Sequence, residues 1–262
     1  MVTYDENPRI LNLPEDQVLE TEPGQPFAVV SWTEPTTSDN SMDQIDLTST
    51  RNSGDMFHIG STVVTYTARD AYDNDESASF LIKVIDMEKP VFNYFPSNIK
   101  HQLLGETYTD IFWDEPSVTD NSGDVSLVSS HHSGDWFAIG RTIVDYKAFD
   151  SSGNTATKVF SVIITDDDYP VIHNVSNVTV NTDVGKSYAI VIWTEPTATD
   201  NYGVPTLTST HKPGDRFNIG YTEVEYTAND ISGHNVTASV WIEVQGLLLL
   251  TVFIIAFLMK TQ

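Results

Sequence analysis

Five carboxylates stand where an alternating apolar stretch gives way to proline: Asp86 and Glu88 before Pro90, and Asp166, Asp167 and Asp168 before Pro170. Carboxylates this close repel one another unless a cation or a basic group lies between them. All-oxygen ligands of this kind suit Ca²⁺, so these five are candidate metal ligands and calcium is a candidate cofactor. A calcium ion there would stiffen a flexible array into a rod. The competing reading is a solvated acidic linker, and spacing alone leaves both open. A second acidic set recurs more regularly: Asp39, Asp120 and Asp200, each followed by Asn, and Asp70, Asp150 and Asp230, each ending an alternating stretch. Asp and Asn side chains close turns by accepting from nearby backbone N–H groups, and turn closure is the role expected of these. Glu34, Glu115 and Glu195 are further oxygen donors whose position the spacing leaves open.

Other chemistries find little support. The chain has no cysteine, which rules out disulfides, thiol catalysis and Cys-ligated zinc. His131 and His132 occupy the places held by Arg51 and Asn52, and by His211 and Lys212, in the other copies described below. A loop tip that varies in this way reads as solvated surface. No G-x-S-x-G nucleophile elbow occurs, so the chain is not expected to be an enzyme. Thirteen Lys and Arg against thirty-seven Asp and Glu give a net charge of -24 spread along the chain. Nucleic acid is excluded as a partner on that ground, because phosphate binding needs a basic surface.

The elements that must position these groups come in three copies. Trp32, Trp113 and Trp193 each open a W-[TD]-E-P segment, and G-D-x-F-x-I-G follows at Gly54–Gly60, Gly134–Gly140 and Gly214–Gly220. Internal repetition at a period of 80 residues fixes the architecture before any local reading. After each G-D-x-F-x-I-G the chain alternates: Val64, Tyr66, Ala68; Val144, Tyr146, Ala148; Val224, Tyr226, Ala228. Period-two apolar residues with polar ones between them predict a strand with one buried face. A further strand ends each copy, and another runs through Val30, Ile111 and Val191. Short strands with Gly, Pro, Asn and Asp turns and no helical periodicity predict an all-β chain, a sandwich of two antiparallel sheets per copy. Its expected core includes Trp32, Trp113 and Trp193, Phe57, Phe137 and Phe217, and Tyr66, Tyr146 and Tyr226.

Taken together, W-T-E-P-x-x-x-D-N, G-D-x-F-x-I-G, V-x-Y-x-A-x-D and the Ser152–Asn154 turn resemble the hyalin (HYR) repeat. The resemblance covers about residues 5 to 245, read as repeats over 5–86, 87–166 and 167–245, with a hydrophobic tail at 246–262. Ser49, Tyr66 and Ala78 stand where many members carry cysteine, which makes the chain more similar to the cysteine-free repeats of the echinoderm hyaline layer. What the resemblance implies is an immunoglobulin-like fold, an extracellular or cell-surface location, association with calcium, and adhesion or matrix assembly with other matrix or cell-surface proteins.

Three sequons, at Asn174, Asn177 and Asn235, are glycosylation candidates usable only in the secretory pathway. No signal peptide is legible after Met1. Residues 247–259 are apolar apart from Thr251 and fall short of the ~20 residues of a spanning helix, although Val244–Gly246 could extend them. They form a candidate membrane anchor, and the alternative function is a membrane-tethered receptor or regulator that uses the repeats as a stalk. A GPI-type tail fits less well, since the polar spacer before the apolar run is missing.

Overall fold

The computed structural model describes residues 6–40 and 44–246. The proposed anchor at 247–259 lies outside the described residues. Among the described residues every regular element is a strand, and no helix is long and apolar enough to cross a membrane.

The first repeat shows how the alternation folds. Its strands are β1 (Arg9–Leu11), β2 (Gln17–Glu20), β3 (Phe27–Val29), β4 (Thr36–Ser38), β5 (Asp46–Ser49), β6 (Met56–His58), β7 (Gly60–Arg69) and β8 (Asp75–Ile85). The long hairpin β7–β8 is the spine, in register from Gly60 opposite Val84 to Arg69 opposite Asp75. β5 adds to it antiparallel and β2 adds parallel, giving the order β2-β8-β7-β5. The pairs β1–β4 and β3–β6 cover the inner face of this sheet. Val64, Tyr66, Phe80, Ile82 and Val84 point inward from the spine and meet Ala28, Val30 and Phe57, all buried. Each such aliphatic or aromatic side chain contributes about 1.5–3 kcal/mol on leaving water. The sandwich is as expected from the alternation. The parallel edge strand is an addition, because pairing direction is not written in a strand's own pattern.

Gly60 has φ 121, a conformation open to glycine and strained for other residues, and it carries the chain from β6 straight into β7. Gly140 and Gly220 repeat it at φ 128 and φ 121, which explains the closing glycine of G-D-x-F-x-I-G.

The chain divides into two compact units. One comprises Met1–Ser97, Phe112–Ser133 and Ile143–Phe160. It contains the first repeat, the passage out of it through Asp86, and two strand pairs of the middle repeat: Val91–Tyr94 with Ser117–Thr119, and Val125–Ser129 with the end of Gly140–Asp150. Of the described residues, the other comprises 98–111, 134–142 and 161–246. It contains the whole third repeat, with the sheet Val178–Asn181, Asn235–Gln245, Gly220–Asn229, Thr206–Ser209 in the order seen in the first. Each unit therefore carries one complete junction between successive repeats.

Candidate functional site: the repeat junctions

Behind each junction lies a frame built from the W-[TD]-E-P segment. The Trp32 indole N–H donates to the Tyr66 hydroxyl (2.7 Å), and that hydroxyl donates to Glu34 Oε2 (2.5 Å). Trp113, Tyr146 and Glu115 repeat the arrangement at 2.8 and 2.5 Å. In the third repeat Trp193 donates to Tyr226 (2.7 Å), while Glu195 acts on Tyr226 through its charge. The motif glutamates of the first two repeats thus serve the buried tyrosines. Burial, then the hydrogen bond to Glu115, pushes the Tyr146 hydroxyl up to about 12. Tyr66 and Tyr226 shift the same way, burial again being the first cause. The phenylalanines and tyrosines expected in the core are buried, whereas the three tryptophans sit half-buried at its rim. There Trp32 packs edge-on against Phe57 and Phe80, and Trp193 against Phe217.

At the first junction the chain leaves β8 into Asp86, which is only 5% exposed. One oxygen each of Asp86, Asp120 and Asp150 lie within 4.8 Å of one another. Each carboxylate has a local role, Asp86 and Asp120 through one oxygen and Asp150 through both. Asp86 Oδ1 accepts from the Glu88 N–H (3.0 Å) and from Asn121 Nδ2 (3.2 Å). Asp120 Oδ1 accepts from the Ser122 N–H (3.0 Å) and hydroxyl (2.6 Å). Asp150 takes the Asn154 N–H and side-chain amide, both at 2.8 Å. Asn121 Nδ2 also reaches the Gln25 carbonyl (3.0 Å), and Asn154 Nδ2 the Asp86 carbonyl (3.2 Å), tying the repeats together. What remains is oxygen: Asp86 Oδ2, Asp120 Oδ2 and Asn121 Oδ1 are buried and meet no donor among the described residues. Turn closure and ligand presentation are therefore compatible, with different oxygens of one side chain doing each.

The second junction uses the same positions with one change of residue. Asp166, Asp230 and His234 bring one ligand atom each within 4.8 Å of one another. Asp166 Oδ1 accepts from the Asp168 N–H (3.1 Å) and Oδ2 from the Ser232 hydroxyl (3.0 Å). His234 stands where the middle repeat has Asn154. Its Nδ1 donates to Asp230 Oδ2 at 2.9 Å, its Nε2 lies 4.0 Å from Asp167 Oδ1, and its ring packs on Tyr169 at 4.8 Å. Asp200 Oδ2 and Asn201 Oδ1 are buried without a donor among the described residues.

The residues expected to gather by sequence adjacency part company. Asp86 and Asp166 enter the clusters, but Glu88 accepts from the Gly24 N–H (2.7 Å). Asp168 accepts from the Gly105 N–H and Asn201 Nδ2, both at 2.6 Å, and Asp167 is half-exposed. The partners that complete each cluster, Asp120 and Asp150 or Asp230 and His234, come from the next repeat. Their signal was the thrice-repeated Asp-Asn pair and the Asp at inward parity. Asn174, Asn177 and Asn235 are all exposed, and Asn177 Oδ1 accepts from the Trp241 N–H (3.0 Å).

Three copies of one sandwich joined through acidic ends define a tandem-repeat β-sandwich protein. The HYR domain matches residues 4–84, 85–164 and 165–244, and the chain belongs to that family. It is 41% identical over 234 residues to hyalin of Strongylocentrotus purpuratus, covering 86% of this chain and 20% of that protein. To hyalin of Lytechinus variegatus it is 37% identical over 254 residues, covering 93% and 48%. The rat Sushi, von Willebrand factor type A, EGF and pentraxin domain-containing protein 1 matches at 38% over 157 residues, 59% of this chain and 4% of that one. The chain thus spans at most about half the length of these relatives. Among solved structures, protocadherin gammaB7 EC3-6 aligns at TM-score 0.35 and 15% identity, covering 92% of this chain and 78% of that one.

Proposed function

We propose that the chain is a non-enzymatic, extracellular structural and adhesive array that binds other matrix or cell-surface proteins, with calcium supporting the junctions. The observation that carries this reading is a constant frame bearing varied faces. Phe57, Phe137 and Phe217 are buried identically, while the residue before each is Met56, Trp136 or Arg216 and faces water. The strand opposite adds an aromatic residue to this patch, against His58 in the first repeat and against the varied residue itself in the other two. Phe27 meets His58 at 6.2 Å, Tyr108 meets Trp136 at 5.2 Å, and Arg216 lies 3.9 Å over Tyr188. A scaffold that keeps its core and changes one exposed patch from copy to copy suits recognition of partners better than turnover of a substrate. Exposed aromatic side chains and Arg are the types that dominate binding energy at protein interfaces.

Beads coated with the full chain test this. They should cluster or capture matrix-bearing cells in calcium, and replacing Tyr108 and Trp136 together by Ser should weaken capture while leaving the melting curve in place. Capture that is indifferent to the double replacement and to calcium would contradict the reading.

A further inference from the structure

The two junctions are built from equivalent positions, yet only the first leaves its strand-end aspartate short of a donor. Asp86 is 5% exposed, and its Oδ2 meets no donor among the described residues, beside Asp120 Oδ2 and Asn121 Oδ1 in the same condition. Among those residues no Lys, Arg or His lies within 4.0 Å of Asp86, Asp120 or Asp150. An ionised carboxylate held out of water without countercharge is costly, and three together cost more. Protein donors already hold the other oxygen of Asp86 and of Asp120 and both oxygens of Asp150, and none reaches Asp86 Oδ2 or Asp120 Oδ2.

We propose that the first junction is a divalent-cation site of the calcium class, with the carboxylates of Asp86, Asp120 and Asp150 and the side-chain carbonyl of Asn121 as ligands, and that it is the one strong cation site of the described repeats. The donor set is all oxygen and mixes carboxylates with a neutral carbonyl, as Ca²⁺ prefers; Mg²⁺ gives up its water less readily and demands stricter geometry. Because Asp86 belongs to the first repeat and the other three to the second, the ion joins the two repeats by ligands from both. At the second junction both oxygens of Asp166 already have donors, and the basic ring of His234 stands on Asp230 where the first junction has the neutral amide of Asn154 on Asp150. At the matching end of the first repeat Arg9 shares the pocket with Asp39 and Asn40.

The identity of the ion rests on the calcium reading above, whereas the ligand set rests on the geometry. The full chain, stripped with EDTA, is titrated with CaCl₂ and separately with MgCl₂ by calorimetry, and its melting is followed in each. One calcium should bind per chain, at roughly 0.1–1 mM as in other extracellular modules, with magnesium weaker. Asp120→Asn keeps an oxygen for Ser122 and brings an amide into the cluster. It should abolish calcium binding and melt no lower than the native chain in EDTA, because the repulsion is relieved. Asn154→His, which copies the second junction, should weaken calcium by roughly 10- to 100-fold, the usual effect of changing a group that orients a ligand. No heat with calcium, two equal sites, or binding unchanged in Asp120→Asn would overturn the proposal. Bead capture is read separately. Binding without calcium-dependent capture sinks only the adhesive role of the ion, and capture without binding sinks this site while leaving adhesion standing.

Discussion

The middle and third repeats share a frame and differ at the end that meets the repeat before. In the middle repeat Asp150 is held by the neutral amide of Asn154, and the strand-end Asp86 keeps an oxygen without a donor. In the third repeat the imidazole of His234 serves Asp230, and Ser232 serves Asp166. The same fold thus balances a crowded set of carboxylates in two ways: through oxygens presented for an ion at one junction, and through a base and a hydroxyl of its own at the other. Two contacts separate them: the His234 ring where the middle repeat has Asn154, and the Ser232 hydroxyl on Asp166 Oδ2.

If the difference resides in the junctions, the frames behind them must respond alike. Trp113→Ala and Trp193→Ala should each cost at most about 3–5 kcal/mol, the range for deleting a fully buried large aromatic, since both are half-buried. Chemical unfolding measures both, and a loss confined to one repeat would break the comparison at its base. The tyrosines sharpen it. Tyr146 bonds Trp113 and Glu115, while Tyr226 bonds Trp193. Tyr146→Phe should therefore cost about 1–3 kcal/mol and Tyr226→Phe about 1 kcal/mol, since a hydrogen bond to a charged group is worth more than a neutral one. The native Tyr146 hydroxyl is held up to about 12 against an ordinary 10.0. Its contribution is therefore complete below about pH 10 and is lost as pH rises through about 12. Ultraviolet titration should show a late phenolate that Tyr146→Phe removes; its persistence in the variant would assign it elsewhere.

A smaller effect separates the junctions by acid. Burial alone would raise the Asp230 carboxyl, but hydrogen bonds from the His234 backbone and ring and from the Gly233 N–H outweigh it and hold the group below its ordinary 3.8. A depressed carboxylate contributes stability that is present above its unfolded value, near pH 4, and is lost as pH falls through the folded value. His234→Ala removes the ring's share, so the acid limb of its stability curve should move to higher pH. An acid limb that stays in place would show that the backbone donors alone hold Asp230.

Much of this was legible in the sequence, for identifiable reasons. Val64, Tyr66, Ala68 and their counterparts reveal the strands because burial of one sheet face imposes a period of two on local sequence. The parallel pairing of β2 with β8 was not legible, since the partner lies far along the chain and leaves no local mark. Asp86 and Asp166 could be singled out by crowding before a proline. Glu88, Asp167 and Asp168, chosen by the same adjacency, bond elsewhere, because along an extended chain neighbouring side chains diverge. Asp120 and Asp150 read as turn residues and are turn residues. The second oxygen of Asp120 acquires its role only when the preceding repeat brings Asp86 alongside, which is a matter of tertiary structure.

The central claim is that the contacts already made to the second junction's aspartates decide which junction takes an ion. Equilibrium dialysis of the full chain against calcium, native beside the double variant Ser232→Ala, His234→Asn, tests it most directly. The native chain should bind one ion and the variant two, since the exchange frees Asp166 Oδ2 and restores the neutral amide that the first junction has. Equal stoichiometry in the two proteins, whether one ion, two or none, would contradict the account.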